Sequence, residues 1–149
     1  MNTIETLFVP YELAVKLKAP GFDEPCLAAY YAFGNGKLRN GSYRQTESEL
    51  FINGIGKELE DRMDELEMFA YHDVSVPTFS QAFRFFREKY EIYYTIEGSK
   101  KFGFQHFIYD EKGSYEIKSE EIFKNYEEAE SACLIRLIEI VEKEQENDK

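Results

Sequence analysis

Residues 77–109, PTFSQAFRFFREKYEIYYTIEGSKKFGFQHFIY, predict a helix followed by two strands. The Thr78 hydroxyl can accept the backbone N–H of Gln81, an arrangement typical of a capping box at a helix start. The apolar residues that follow recur at helical spacing, at Phe79, Ala82, Phe83, Phe86 and Tyr90. Residues 92–97 and 102–109 then favour two short strands joined by a turn, as in an antiparallel meander.

Helices are also predicted on both sides of this region. Val9, Leu13 and Leu17 recur every four residues before Pro20-Gly21, which indicates a short first helix. Asn125 is a suitable N-cap for a last helix. That helix would bury the stripe Tyr126, Ala129, Cys133, Leu137, Ile140 and Val141. Residues 55–67 have apolar residues at helical spacing, and most of their other positions are acidic, which predicts another helix.

The remaining segments predict strands and turns. Residues 26–33 are apolar on both faces, which indicates a central strand. Gly34-Asn35-Gly36 is a strong type I′ turn signal, so residues 37–44 are expected to form the return strand, with a bulge or second turn at Asn40-Gly41. Residues 45–54 fit either a strand or a turn of helix, and residues 114–119 fit a third meander strand.

Together these elements predict an α+β fold in which helices pack on one face of an antiparallel sheet of about four or five strands. The expected order is α-β-β-α-α-β-β-β-α. The chain has 149 residues, a length that predicts one domain over 1–149. Residues 45–73 are interpreted as an acidic helical insertion, and the polar tail 145–149 is expected to fray.

The charge is concentrated in two segments. The net charge is −11. Residues 47–73 hold nine acids and two bases, and residues 127–149 hold eight acids and three bases. Direct binding of nucleic acid is disfavoured, because phosphate contacts need Lys and Arg. The basic helical group Arg84, Arg87 and Lys89 is interpreted as a solvated face.

The sequence predicts neither export nor membrane insertion. Residues 1–13 lack Lys and Arg and have no long apolar core, and no apolar run approaches the roughly 20 residues that a spanning helix needs. We therefore expect a cytoplasmic protein without a membrane partner. In that compartment Cys26 and Cys133 would stay reduced, and both are interpreted as small core hydrophobes.

No motif predicts a cofactor, a metal or a catalytic mechanism. His72 and His106 have no ligand spacing typical of zinc sites. The glycine-rich segment Asn53-Gly54-Ile55-Gly56 matches no phosphate-binding fingerprint and is interpreted as a turn before a helix. No cofactor and no metal are expected, and the catalytic residues, if the chain has any, are unknown from sequence. An enzyme would need a spatial cluster such as His106 with one of the cysteines.

The aromatic content is the most unusual feature of the composition. The chain has 13 Phe and 11 Tyr but no Trp, and adjacent tyrosines such as Tyr30-Tyr31 and Tyr93-Tyr94 point to both faces of their strands. A sheet covered on one face cannot bury both sets, so one set would line a pocket, meet a second copy in a homodimer, or stay exposed. The candidate interaction surface comprises Glu58, Asp61, Asp64, Glu65, Tyr31 and Tyr93.

Three segments carry a family resemblance. Residues 5–26 (ETLFVPYELAVKLKAPGFDEPC), 77–90 (PTFSQAFRFFREKY) and 126–141 (YEEAESACLIRLIEIV) resemble short uncharacterised proteins from anaerobic gut bacteria and their phages. The resemblance implies a phage or mobile-element origin and cytoplasmic expression. It carries no activity, substrate or catalytic residue. Relative to the shorter members, the region around residues 47–70 resembles an insertion.

Three classes of function follow from these observations. The first is a non-enzymatic interaction or phage accessory protein, whose acidic helix would present carboxylates to an unidentified basic protein, in one version by imitating DNA phosphates. The second is a small-molecule-binding module with a pocket between the aromatic sheet and the helices. The third is an enzyme with a Cys/His site that the linear sequence hides.

Overall fold

A computed structural model of the protein describes residues 4–37, 43–45, 48–52 and 57–147. After a 3₁₀ turn at Glu5–Leu7, the elements in chain order are α1 (Tyr11–Lys16), β1 (Ala28–Lys37), β2 (Tyr43–Gln45), β3 (Glu49–Ile52), α2 (Lys57–Leu66), β4 (Phe69–Val76), α3 (Phe79–Tyr90), β5 (Ile92–Ser99), β6 (Gly103–Asp110), β7 (Glu116–Lys118) and α4 (Tyr126–Asn147).

The chain forms two compact units. The first unit consists of Met1–Asp23 together with Thr78–Lys149, and the second unit is the intervening segment Glu24–Pro77. Each unit has its own antiparallel sheet. The predicted α+β class is therefore confirmed. The strands are divided between two sheets, however, where the sequence predicts one.

The second unit is built around β1. This strand pairs antiparallel with β4 along one edge and with β3 and β2 along the other. Since β3 and β4 both run antiparallel to β1, they are parallel to each other, and α2 connects them across the sheet. Leu59 of α2 is buried with Ala29, Tyr31 and Phe33 of β1, so the acidic helix covers one face of this sheet.

The first unit is a sheet of β5, β6 and β7 in sequential order. Because cross-strand partners share a face, Tyr94 and Ile108 lie on one face, and Tyr93 and Tyr109 on the other. Both long helices contact the first face. The ring of Phe83 in α3 stacks on Tyr94 at 3.9 Å, and Tyr126 of α4 meets Phe104 edge-to-face at 6.1 Å.

The two helix caps predicted in the first unit are confirmed. The Gln81 N–H donates to the Thr78 hydroxyl at 3.1 Å, and the Glu128 N–H donates to the Asn125 side chain at 2.8 Å. The predicted stripe of α4 is buried at Ala129, Cys133, Leu137 and Val141, whereas Tyr126 is exposed. Leu134 and Ile138 are buried as well, which widens the stripe.

The predicted turn at Gly34-Asn35-Gly36 is wrong, because β1 continues through it to Lys37. Gly34 pairs with Phe69 on one side and Gln45 on the other, and Lys37 pairs with Tyr43 after a shift in register, so the segment is held in the sheet at both of its ends. The turn or bulge predicted at Asn40-Gly41 lies outside the described residues, and so does the turn predicted at residues 53–56.

The segment 45–73 is only partly helical. It contains β3 and most of β4 as well as α2. These two strands are paired with β1, so the segment supplies part of the sheet of the second unit. Its origin as an insertion stays a prediction. At the other end of the chain, α4 extends to Asn147, and the fraying of 145–149 stays a prediction too.

Candidate functional site

The four acidic residues predicted at an interaction surface lie together on α2. Glu58, Asp61, Asp64 and Glu65 are all exposed. The Glu65 carboxylate pairs with Arg62 at 2.9 Å. Arg62 also donates to Glu49 of β3 at 3.0 Å, which links the helix to the sheet below it. The helix therefore presents carboxylates to solvent, with one of them tied to a neighbouring guanidinium.

The two tyrosines predicted at that surface have different environments. Tyr31 belongs to the second unit, where its side chain is buried and its ring meets Phe51 and His72 edge-to-face. Tyr31 is therefore part of a core in this structure and is not available to a partner. Tyr93 belongs to the first unit, where it is half-buried and stacks on Tyr109 at 5.9 Å on the sheet face opposite the helices.

Neither cysteine has the properties of a nucleophile. Burial raises the pKa of Cys26 to about 11, with a smaller effect from Glu24. Burial also raises the pKa of Cys133 to about 12, with a smaller effect from Glu130. Because the thiolate is the reactive form, both side chains are protonated and unreactive at neutral pH.

The described residues contain no cluster of three His, Cys, Asp or Glu side chains that could hold a metal ion. His72 is exposed, and its Nε2 lies 3.1 Å from the Ser75 hydroxyl. His106 lies in the first unit and is buried. None of the helices in the described part of the chain is long and apolar enough to cross a membrane.

A cleft of about 440 Å³ lies in the first unit, where β6 and β7 meet α4. We call it the His106 cleft. It is lined by His106, Ile117, Lys118, Ser119, Glu120, Glu121, Phe123, Ala132, Ile135, Arg136 and Glu139. The cleft therefore lies between the sheet and a helix, where the second functional class requires a pocket.

The lining divides into an apolar part and a charged part. Ile117, Phe123, Ala132 and Ile135 are apolar, whereas the remaining side chains are polar or charged. Arg136 pairs with Glu139 at 3.1 Å one turn further along α4. The cleft therefore combines a small apolar patch with a larger set of polar and charged groups.

His106 is the most distinctive residue of the cleft. Its side chain lies on the face of β6 that contacts the helices and is only 5% exposed. The imidazole stacks on Phe123, with ring centroids 6.2 Å apart and planes 17° apart. The Nδ1 atom is buried and has no hydrogen-bond partner among the described residues. A buried polar atom without a hydrogen-bond partner costs about 1–3 kcal/mol, which makes His106 an unusual residue in this core.

Ser119 holds His106 in place through the backbone. Its N–H donates to the His106 carbonyl at 2.9 Å, and the His106 N–H donates to its hydroxyl oxygen at 3.2 Å. The Ser119 hydroxyl donates in turn to the Glu121 carbonyl at 3.0 Å. Because that hydroxyl is bonded to backbone and makes no hydrogen bond to the imidazole, Ser119 is a positioning residue and not a nucleophile.

The stability of the protein should fall in acid because of His106. Burial lowers the pKa of His106; the charge of Arg136 acts in the same direction, and a backbone hydrogen bond with Ala129 opposes both. The unfolded chain binds the proton more readily, with a His pKa near 6.5. The free energy of unfolding should therefore decrease as the pH falls below about 6.5, until the pKa of the folded state is passed.

Urea denaturation of the wild-type chain and of His106→Leu, at several pH values from 8 to 5, measures this effect. The stability difference between the two proteins should be constant above about pH 7.5 and should shift in favour of the leucine variant in acid. Both proteins retain Lys118, Glu120, Glu121, Arg136 and Glu139 in the cleft, so their titration largely cancels in the difference. A stability difference that does not change with pH would contradict the conclusion that folding lowers the pKa of His106.

No protein-family model, curated protein or solved structure matches this chain. The function is therefore inferred from the residues of the His106 cleft themselves.

Proposed function

We propose that the protein is a ligand-binding module that holds a small organic molecule in the His106 cleft. The observation that carries the proposal is that His106, whose buried Nδ1 atom has no partner among the described residues, lines a cleft that also has apolar side chains. The volume of about 440 Å³ is within the range of roughly 300–1,000 Å³ that small-molecule sites occupy. A hydrogen bond from the ligand to His106 would remove the cost of the unpaired nitrogen.

Binding is favoured over catalysis at this site. No cysteine is among the described residues that line the cleft, and the Ser119 hydroxyl donates to a backbone carbonyl. The cleft therefore contains no activated cysteine or serine. The neighbouring charges, Lys118 and Arg136 against Glu120, Glu121 and Glu139, would orient a polar ligand.

The proposal is tested by filling the cleft. Ala132 lines it from α4, so Ala132→Phe should occupy the space that a ligand needs. Wild-type protein labelled with ¹⁵N would be screened by NMR against a library of small aromatic and aliphatic acids, alcohols and amines. We expect at least one compound to shift the amide signals of His106, Ser119 and Ile135, and we expect Ala132→Phe to abolish those shifts.

The matched control is Thr95→Phe, which adds the same ring on the opposite face of the sheet. Thr95 pairs with Phe107 in β6 and lies between positions that face the helices. This variant should bind as the wild type does. Failure of the whole library to produce shifts that depend on Ala132 would refute the ligand-binding role.

The same variants distinguish the ligand-binding role from the interaction role that is predicted from the sequence. If the carboxylates of α2 bind a basic partner, a captured complex should weaken with salt and should be lost when Glu58, Asp61 and Asp64 are changed to Lys. It should be unaffected by Ala132→Phe. That pattern, together with no ligand in the cleft, would favour the interaction role.

A further inference from the structure

The strand β5 has one paired edge and one free edge. It pairs antiparallel with β6, which lies between β5 and β7 in the sheet. Among the residues that the structure describes, no other strand pairs with β5. A free edge presents unpaired backbone N–H and C=O groups, to which a further strand can bind.

Hydrogen bonds on the far side of β6 fix the direction of its backbone groups. The His106 carbonyl accepts the Ser119 N–H at 2.9 Å, on the edge that β7 occupies. Because successive residues of a strand direct their backbone groups to opposite edges, Phe107 directs its groups to β5. Thr95 is the partner of Phe107, so these two residues form a hydrogen-bonded pair.

The neighbours of Thr95 in β5 face the other way. The N–H and C=O groups of Tyr94 and Ile96 therefore point out of the free edge. Within the described part of the chain, no backbone group outside the sheet bonds to them. The edge thus presents alternating donors and acceptors at the spacing that a further strand requires.

The two outer strands of this sheet differ in their protection against added strands. Natural sheets protect an edge with very short strands, charged side chains or proline. β7 has three residues, of which Glu116 and Lys118 are charged. β5 has eight residues, IYYTIEGS, and its one charged residue is Glu97. The β-branched and aromatic side chains of β5 favour strand pairing.

Open space lies beside β5. A groove of about 460 Å³ is lined by Thr78, Ser80, Gln81, Phe83, Arg84, Arg87 and Tyr94. All of these except Tyr94 belong to α3 or to its N-cap, and none belongs to β6 or α4. The groove therefore lies between α3 and β5, the strand at the edge of the sheet.

We infer that the free edge of β5 binds an extended peptide segment of another protein, which adds to the sheet as a further strand beside α3. In this mode of recognition, main-chain hydrogen bonds give affinity and spaces for alternate side chains give specificity. Tyr94 and Ile96 supply the main-chain groups, and the groove receives side chains of the added strand. Arg87 is exposed in the groove lining and has no ion pair among the described residues, so it favours a segment that carries a carboxylate.

A second copy of the chain is disfavoured at this edge. Two β5 strands that pair edge to edge would lie about 4.8 Å apart in one continuous sheet, with both copies of α3 on the same face. α3 packs on β5 through the stack of Phe83 on Tyr94. Since packed helix axes need a separation of about 8–10 Å, the two helices would overlap. A segment without a helix avoids this overlap.

The probe is a set of short peptides selected from a random phage-displayed library against the whole chain. We expect them to be rich in Asp or Glu and to slow hydrogen exchange at the Tyr94 and Ile96 amides, because an added strand would accept from both. N-methylation of alternate peptide residues should weaken binding about tenfold in one phase and little in the other, since only one set of N–H groups faces β5.

Ile96→Pro tests the edge from the side of the protein. Proline removes the N–H that points outward and leaves the ladder with β6, a placement that edge strands tolerate. It should weaken binding of the selected peptides about tenfold, and Arg87→Gln should weaken the acidic ones by a similar factor. Arg136→Gln, which removes an exposed guanidinium from the His106 cleft, is the matched control and should have no effect. Ala132→Phe should have none either, so failure of the ligand-binding role would leave this result unchanged.

The inference is overturned if no selected peptide protects the Tyr94 and Ile96 amides, or if the two N-methylated series bind equally well. The N-methylated peptides give this answer even if Ile96→Pro does not fold. Self-association of the wild-type chain that protects the same two amides would also overturn it, because a second copy would then occupy the edge.

Discussion

Replacing Phe86 with alanine is expected to lower the free energy of unfolding by about 3–5 kcal/mol. Phe86 is fully buried in α3. Its ring lies 5.2 Å from that of Phe85 and 6.1 Å from that of Tyr90. Alanine would remove this contact area and leave a cavity that close-packed neighbours can only partly fill. Since domains of this size are typically stable by about 5–15 kcal/mol, the loss would be a large fraction of the total.

Urea denaturation followed by circular dichroism measures the change. Phe102→Ala is the matched control, because Phe102 is 75% exposed and its removal should cost less than about 0.5 kcal/mol. Phe86→Leu retains most of the apolar volume and should cost roughly 1–2 kcal/mol, which keeps the comparison measurable if Phe86→Ala does not fold. Equal effects of Phe86→Ala and Phe102→Ala would show that Phe86 is not a core residue.

The helices of the first unit could be predicted because their signals are local. Thr78 and Gln81 lie within one turn of each other, and so do Asn125 and Glu128, so capping can be inferred from adjacent sequence. The buried stripes of α3 and α4 follow from helical spacing for the same reason. The strands predicted at 92–97 and 102–109 match β5 and β6 to within one or two residues at each end, since a short turn joins them.

The second unit was harder to predict because its pairing is not local. Gly34-Asn35-Gly36 has the composition of a turn, but its preference is outweighed by ladders on both edges of β1. The sequence of β4 lacks the regular alternation of a half-buried strand. The strands of the second unit therefore depend on long-range pairing, which local propensity does not predict.

The His106 cleft could be predicted only in part. One signal was present: a polar residue at a core-facing position of β6, between Phe104 and Ile108. The rest of the wall comes from β7, from the segment that follows it and from α4, more than ten residues further along the chain. No fixed spacing joins these segments.

Gly98→Ala is expected to destabilise the first unit by about 3–5 kcal/mol, because it combines a backbone clash with backbone strain. Gly98 pairs with Phe104 near the turn between β5 and β6 and has a φ of 146°. A Cβ atom there would lie 2.0 Å from the Gly103 carbonyl oxygen and 2.8 Å from the Phe104 Cα. These are backbone atoms of the paired strand, so they cannot move aside without breaking the ladder. Urea denaturation measures the loss.

Gly113→Ala is the control that separates strain from clash. Gly113 also has a positive φ, of 68°, but a Cβ atom there would meet nothing within 4 Å. Its cost should be only about 1–2 kcal/mol, the penalty of a left-handed conformation. The difference between the two variants then measures the clash in the hairpin. Similar costs for both would contradict the pairing of Gly98 with Phe104 in the β5–β6 hairpin.

The register at Gly98 also matters for the His106 cleft. Phe104 exchanges two backbone hydrogen bonds of 2.8 Å with Phe123, and His106 follows two residues later on the same face of β6. A hairpin displaced at Gly98 would shift Phe104, and with it the contact between the His106 imidazole and Phe123. Gly98→Ala should therefore lower the affinity of the cleft for any ligand, even under conditions where the variant stays folded. Gly113→Ala should leave that affinity unchanged. Unchanged affinity in folded Gly98→Ala would show that the cleft is independent of the hairpin.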